Sequence, residues 1–300
     1  MMTLDELKEL QEKIIIVNRD FRIYNGILDI MLFTDIFALL FFAHSGIKLF
    51  ICLFVLCITI LIISVVSIIE KTMIDEKIDI FKKEYKRIFV VETLKDYFTD
   101  IRYEKKNSLF EGIIINNLNV KASKYRTSSN DYISGRYKNI SFRQTDVKIE
   151  ELKENGDDRY WHTIFCGKVL TFDFDKSIKT NIRIVNKAFP LVNDKEPNIK
   201  VEDITFNEIN NIYAEDEHDA FYILTPTFLE KLSLIKGEYM LDFRTHELFI
   251  AINNIGDSFE WSVFKKIDEK QIKEMVIRDI TKVTDIIDYF GTEDKIWNNY

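Results

Sequence analysis

Residues 27–69 read ILDIMLFTDIFALLFFAHSGIKLFICLFVLCITILIISVVSII. They form two apolar stretches, 27–43 and 49–69, parted only by His44-Ser45-Gly46-Ile47-Lys48. About 20 apolar residues cross the hydrocarbon of a bilayer, so the second stretch spans with Thr59, Ser64 and Ser67 as its only polar interruptions. The first stretch carries Asp29 and Asp35. A central aspartate costs about 2.5–3.5 kcal/mol, and each large apolar residue gains about 0.3–0.6, so the stretch outweighs one central charge. Asp29 falls near the membrane edge, where the cost is lower. An antiparallel neighbour brings Cys57 or Thr59 opposite Asp35 and Ser64 opposite Asp29. The expectation is a transmembrane helical hairpin over residues 26–70.

A cleaved signal peptide is the competing reading, because Ala43-His44-Ser45 faintly resembles a small-residue cleavage site. Against it, residues 1–25 are long and mixed in charge, and a longer apolar run follows the supposed cut. Arg19 and Arg22 precede the hairpin, Lys71, Lys77, Lys82, Lys83, Lys86 and Arg87 follow it, and Lys48 alone lies in the turn. The positive-inside rule then sets both termini and the soluble part in the cytoplasm, at the inner membrane. Asp29 and Asp35 mark an ion or proton site, or else carboxyls hydrogen-bonded between helices. They stand six residues apart, about 240° around a helix, so they form no paired-carboxylate face.

The flanks continue the helical pattern. Leu4, Leu7, Leu10, Ile14, Val17 and Phe21 make one apolar stripe, with Thr3 and Glu6 at capping-box spacing, and predict an amphipathic helix over 1–25. Ile74, Ile78, Phe81, Tyr85, Ile88, Val91 and Leu94 predict a second over 71–100, the two packing as a short antiparallel extension. Residues 101–300 are left for one soluble domain, long enough to hold a core without disulfides or metals. Of three cysteines only Cys166 lies there, so the sequence predicts no disulfide framework and a reducing compartment. A net charge of -8 sets the whole chain against polyanion binding and makes nucleic acid an unfavoured partner.

Local charge is less even. Between 102 and 143 nine basic residues face Glu104, Glu111 and Asp131, with Tyr103, Tyr125, Tyr132 and Tyr137 among them. That mixture suits anionic lipid head groups, or else a solvated sheet face. The candidate binding set is Lys121, Lys124, Tyr125, Arg126, Arg136 and Arg143. Residues 191–220 are acidic and offset it.

From about 132 the period turns to two. Strands are expected at 132–137, 140–147, 160–175 and 181–185, with a hairpin of 239–243 and 248–252. A helix is expected over 225–235 with Pro226 in its first turn, and a closing helix over 266–290. The fold class is thus α+β: the hairpin and its flanking helices, then a mainly antiparallel sheet with C-terminal helices.

Catalytic signals are thin. All nine glycines are isolated, so no phosphate-cradling loop exists. His162, His218 and His246 have no Cys or His partner at zinc spacing, and no metal or cofactor is expected. Phe172-Asp173-Phe174-Asp175 sets two carboxylates on one strand face, and with His162 they form a weak hydrolase set. Glu151-Leu152-Lys153 matches half of a nuclease motif without its preceding Pro-Asp strand, which carries little. Cys166, four residues from His162, reads as a small buried residue rather than a nucleophile.

The stretches Tyr132-Ile133-Ser134-Gly135, Ile140-Ser141-Phe142, His162-Thr163-Ile164-Phe165-Cys166-Gly167, Phe172-Asp173-Phe174 and Tyr222-Ile223-Leu224-Thr225-Pro226-Thr227-Phe228-Leu229 follow one another in an order that is similar to a bacterial family. It is the family catalogued as domain of unknown function 3137, and Leu248-Phe249-Ile250-Ala251-Ile252 continues the resemblance. The resemblance spans about 75–290. It implies a two-span hairpin before the domain and an association with membrane proteins of the LemA type; it implies no activity. The expected function is a membrane-anchored cytosolic binding or scaffolding module that contacts anionic lipid, a membrane-protein partner or a second copy. An oligomeric pore using Asp29 or Asp35, and the hydrolase, are the alternatives.

Overall fold

Thr3 and Glu6 form the reciprocal cap that their spacing predicts. The Thr3 amide donates to Glu6 Oε2 at 2.7 Å and the Glu6 amide to Thr3 Oγ1 at 3.3 Å. In a computed structural model of the chain, helix α1 runs Leu4–Phe41 and α2 runs Gly46–Tyr85. The structure describes residues 2–41, 46–121, 124–156, 158–174, 177–191, 197–232, 235, 237–254, 256 and 259–292. His44 and Ser45 of the expected turn, and Asp175 of the candidate hydrolase set, lie outside them.

At 1.5 Å per residue the 38 and 40 residues of α1 and α2 reach about 57 and 60 Å, twice the hydrocarbon thickness. Each amphipathic flank is continuous with its span. Gly26 is the lone breaker in α1, and an isolated glycine does not stop a helix. The chain divides into two units, Met1–Val90 with Trp261–Lys273, and Val91–Glu260 with Glu274–Tyr300.

In the first unit the helices run antiparallel. Asn25 Nδ2 donates to Glu70 Oε2 at 2.9 Å, and the Thr59 hydroxyl to Asp35 Oδ2 at 2.6 Å. Thr59 therefore sits opposite Asp35 as antiparallel geometry requires. Ser64 instead bonds the Ile60 carbonyl in its own helix. Outside the apolar windows, Leu7 and Ile14 of α1 and Ile74, Phe81 and Tyr85 of α2 are buried, which is the face that the stripes predict. Tyr85 stacks between Phe81 and Phe89, and Arg87 binds both Glu84 and the Met2 carbonyl. A six-residue π-helix, Lys86–Val91, and the short α3, Glu92–Lys95, follow α2.

The second unit is built on an eight-stranded sheet in which every pairing is antiparallel, in the order β1-β2-β3-β4-β8-β7-β5-β6. The strands are β1 Thr99–Glu104, β2 Tyr125–Tyr137, β3 Ile140–Asn155, β4 Asp158–Asp173, β5 Ile182–Asn186, β6 Asn210–Ala214, β7 Glu238–Arg244 and β8 Glu247–Asn253. Lys138 and Asn139 join β2 to β3 with φ of 48° and 67°, the left-handed pair that a two-residue hairpin demands. On one face Phe110, Ile114 and Leu118 of α4 (Ser108–Leu118) pack on Tyr132, Val147, Phe165, Val169, Phe249 and Ala251. Asn107 caps α4 by accepting from the Phe110 amide. Among the shorter helices are α5 (Ile204–Ile209), α6 (Glu217–Ile223) and α7 (Pro226–Leu232), and α8 (Glu269–Thr292) closes the chain. Phe228 of α7 packs on Phe243 of β7, while Val276, Ile280, Val283 and Ile287 are the buried stripe of α8.

Candidate functional site

At the β1 end of the sheet a groove of about 600 Å3 is lined by Asp100, Ile101, Arg102, Tyr132, Ser134, Gly135, Arg136, Ser141, Phe142, Arg143 and Asp173. Strand register explains the grouping. Arg102 pairs Ser134, which pairs Arg143, and two residues further along Arg136 pairs Ser141, which pairs Asp173. Direct partners in an antiparallel ladder project to the same face, and diagonal neighbours lie about 7–8 Å apart. Arg136 is diagonal to both Arg102 and Arg143, so three arginines and two serines share one face of neighbouring strands. Gly135 points to the other face, where a Cβ would meet Ile101 Cδ1 at 2.5 Å; its lack of a side chain lets β1 lie close.

Arg143 is held firmly: its Nε donates to Thr171 Oγ1 at 3.0 Å, its guanidinium lies 5.3 Å from the Phe110 ring centre, and Glu247 approaches at 3.8 Å. Arg136 donates to the Asn139 carbonyl at 3.2 Å, and among the described residues Arg102 has no hydrogen-bond or ion-pair partner. Both are exposed.

Residues 163–291 match the model of the family described as protein of unknown function, DUF3137. Over that stretch, rather less than half of its length, the chain is similar to DUF3137. No curated protein matches the chain. A solved structure, the mycobacterial trehalose monomycolate transport factor A, TtfA, is similar over 62% of this chain and 86% of its own, at 8% identity and a TM-score of 0.33. A likeness that loose carries no argument about fold or role. The DUF3137 segment takes in most of β4 and all of β5–β8, so Asp173 lies inside it, while Arg102, Arg136 and Arg143 precede it.

The candidate binding set divides along β2. Arg126 and Arg136 stand ten residues apart on that strand, about 33 Å, so they serve no common ligand of ordinary size. Arg126 is already engaged: its Nε donates to Glu150 Oε2 at 2.7 Å, and its guanidinium lies 4.5 Å over the Trp161 ring. Lys124 is 3.9 Å from Glu154, Tyr125 is exposed beside them, and Lys121 is exposed before β2. Arg126 and Lys148 hold the Glu150 carboxyl down to about 2. Because that folded value lies below the ordinary 4.5, the stabilisation is complete above pH 4.5 and is lost as pH falls toward 2. Arg126→Leu is expected to raise the Glu150 titration midpoint, read by carbon NMR of its carboxyl; an unmoved midpoint would mean that the ion pair is absent in solution.

The hydrolase set is not assembled. His162 lies four residues into β4 and Asp173 at its end, eleven residues or about 36 Å apart, both exposed, and Asp175 lies outside the described residues. One reaction centre cannot use side chains so separated. Among the described residues no group of three or more His, Cys, Asp or Glu side chains is arranged to hold a metal. Cys166 is half-buried, its amide donating to Asn253 Oδ1. His218 packs edge-on to Tyr222. In the hairpin Asp35 is the acceptor of Thr59, whereas Asp29 is exposed on the apolar surface.

The binding set read from the sequence leaves out Arg102, although it lies in the basic stretch, and Ser134 and Ser141. Only register groups them, since three residues from three strands meet once the bulge in β1 between Thr99 and Arg102 is placed. A row of buried polar groups was equally hidden: the Tyr103 hydroxyl donates to Asp131 Oδ1 at 2.6 Å, and Lys168 lies 3.4 Å from Asp146. Burial, reinforced by the Asp131 carboxylate, pushes the Tyr103 phenol well above its ordinary range. Asp131 adopts a φ of 56° at a bulge in β2 to reach it.

Proposed function

We propose that this chain is a two-span membrane anchor carrying a cytosolic α+β binding module, with both termini and the domain on the cytoplasmic face of a bacterial inner membrane. One observation carries the reading. The most apolar 18-residue windows of α1 and α2 have mean hydropathies of 1.6 and 3.3, yet 0% and 6% of their residues are buried within the chain. A core helix of a soluble protein would be covered by protein, and a patch this large on an aqueous surface is an aggregation liability. Lipid is the medium that matches it, and the helix backbones satisfy their own polar groups as a bilayer requires. The basic residues on both flanks support the orientation. The unassembled His162–Asp173 set supports a binding role over a hydrolytic one.

The test uses the full chain in its native membrane. Alkaline carbonate is expected to leave it in the pellet, and protease added to intact spheroplasts to spare the C-terminal domain until the membrane is opened. Release by carbonate, or digestion of the domain from outside, overturns the proposal.

A further inference from the structure

We propose that the groove of Arg102, Arg136 and Arg143 binds a phosphate monoester, free or as a lipid head group. Like charges on neighbouring rungs of one sheet face repel, so a fold gains nothing by setting three arginines beside Ser134 and Ser141 on one face. Ordinary surface arginines relieve such repulsion with carboxylate partners. Here Arg102 has no ion-pair partner among the described residues, and Arg136 meets only a carbonyl. Arg143 is oriented by Thr171 and Phe110 before any ligand arrives, which lowers the cost of ordering it on binding.

The chemistry of the groove selects the ligand. Guanidinium presents paired donors in a plane that fits two oxygens of a phosphate, and a monoester offers three non-ester oxygens to three such groups. The serine hydroxyls supply further donors between them. Asp100 and Asp173 also line the groove, and Glu247 stands 3.8 Å from Arg143 at its margin, so carboxylates balance the three guanidinium charges before a ligand binds. That balance suits one compact anion and opposes an extended polyanion such as nucleic acid, whose successive phosphates would run past the carboxylates. The site names a ligand class for the binding module above, but it does not depend on the anchor. A chain stripped by carbonate that still bound phosphate here would end the anchor and keep the groove.

The experiment is calorimetric titration of the full chain in a neutral maltoside detergent with sn-glycerol 3-phosphate, and separately with dihexanoyl phosphatidic acid, dihexanoyl phosphatidylcholine serving as the blank. The double variant Arg102→Gln/Arg136→Gln removes two exposed side chains with no packing role and is expected to weaken binding at least tenfold. Arg143→Lys, which keeps the charge and loses the planar fork, is expected to weaken it several-fold. Lys124→Gln/Arg159→Gln removes the same charge at the far end of the sheet and should leave binding unchanged. Binding of glycerol phosphate with that variant pattern supports a free monoester, and binding of the phosphatidic acid alone with the same pattern supports a head group. No binding of either at millimolar concentration overturns the proposal, as does equal weakening by the two double variants.

Discussion

Gly167→Ala is expected to leave no folded sheet domain. At this point β4 and β8 pass so closely that an added Cβ would fall 1.9 Å from the Ile252 carbonyl oxygen and 2.9 Å from its carbon. Both atoms are backbone, so no rotamer change relieves the overlap. The two strands are tied at the same place, because the Asn253 side chain accepts from the Cys166 amide and the Asn254 amide donates to the Cys166 carbonyl. They must therefore separate, and β4–β8 is the central joint of the sheet. Overpacking usually costs about 1–3 kcal/mol where side chains can yield. A clash between main chains exceeds that, on a domain whose whole margin is about 5–15 kcal/mol. Near-ultraviolet circular dichroism and protease resistance of the detergent-extracted chain should be lost together. Gly112→Ala is the control: it lies within α4 with open space around it and is expected to gain up to about 1 kcal/mol. A Gly167→Ala chain that melts as the wild type does would show that the strands are not in register there.

Local chemistry made part of this architecture legible. The Thr3–Glu6 cap, the hairpin helices, the Lys138-Asn139 turn and the β7–β8 hairpin each rest on residues within a few positions of one another, where spacing alone states the geometry. What sequence concealed depends on distant partners. Residues 108–118 contain Ile113-Ile114-Ile115, a β-branched run with no helical preference, and become α4 because Asn107 caps them and the sheet face needs a cover. The outer strands β1 and β6 are short and polar, as edges are when they resist pairing with other chains, and so leave no alternating pattern to read. The basic stretch 102–143 was visible as charge. Its division into an Arg126–Glu150 ion pair and an arginine groove about 33 Å away was not, because β2 is long enough to carry both ends of the set.

Gln11 is the residue whose loss should do most harm in the first unit. It stands four positions after Leu7 and three before Ile14, in the apolar stripe of α1, where a glutamine has no reason to be unless it is bonded. Its side chain is 4% exposed. Nε2 donates to the carbonyls of Val263 and Lys265, each at 2.8 Å, and Oε1 accepts from the Ile267 amide at 3.3 Å. One amide thus satisfies three main-chain groups of a segment without regular structure, which Trp261 and Lys265 close by packing on each other at 4.0 Å. Gln11→Leu keeps the volume and removes every bond. The Lys265 carbonyl still has the Trp261 indole as donor, but the Val263 carbonyl and the Ile267 amide lose their partner. At about 1–3 kcal/mol for each buried group left unpaired, the segment is destabilised by roughly 2–6 kcal/mol. Opening that tracks this free energy should raise tryptic cleavage after Lys265 or Lys266 at least about thirty-fold, with the helices themselves intact by circular dichroism. Gln11→Glu separates the contributions, since a carboxylate can still accept from Ile267 but repels both carbonyls. At neutral pH it should cleave as fast as the leucine variant, and slow again as acid restores a donor. Equal cleavage of all three chains at every pH would mean that the 261–268 segment is held by its side-chain packing and not by Gln11.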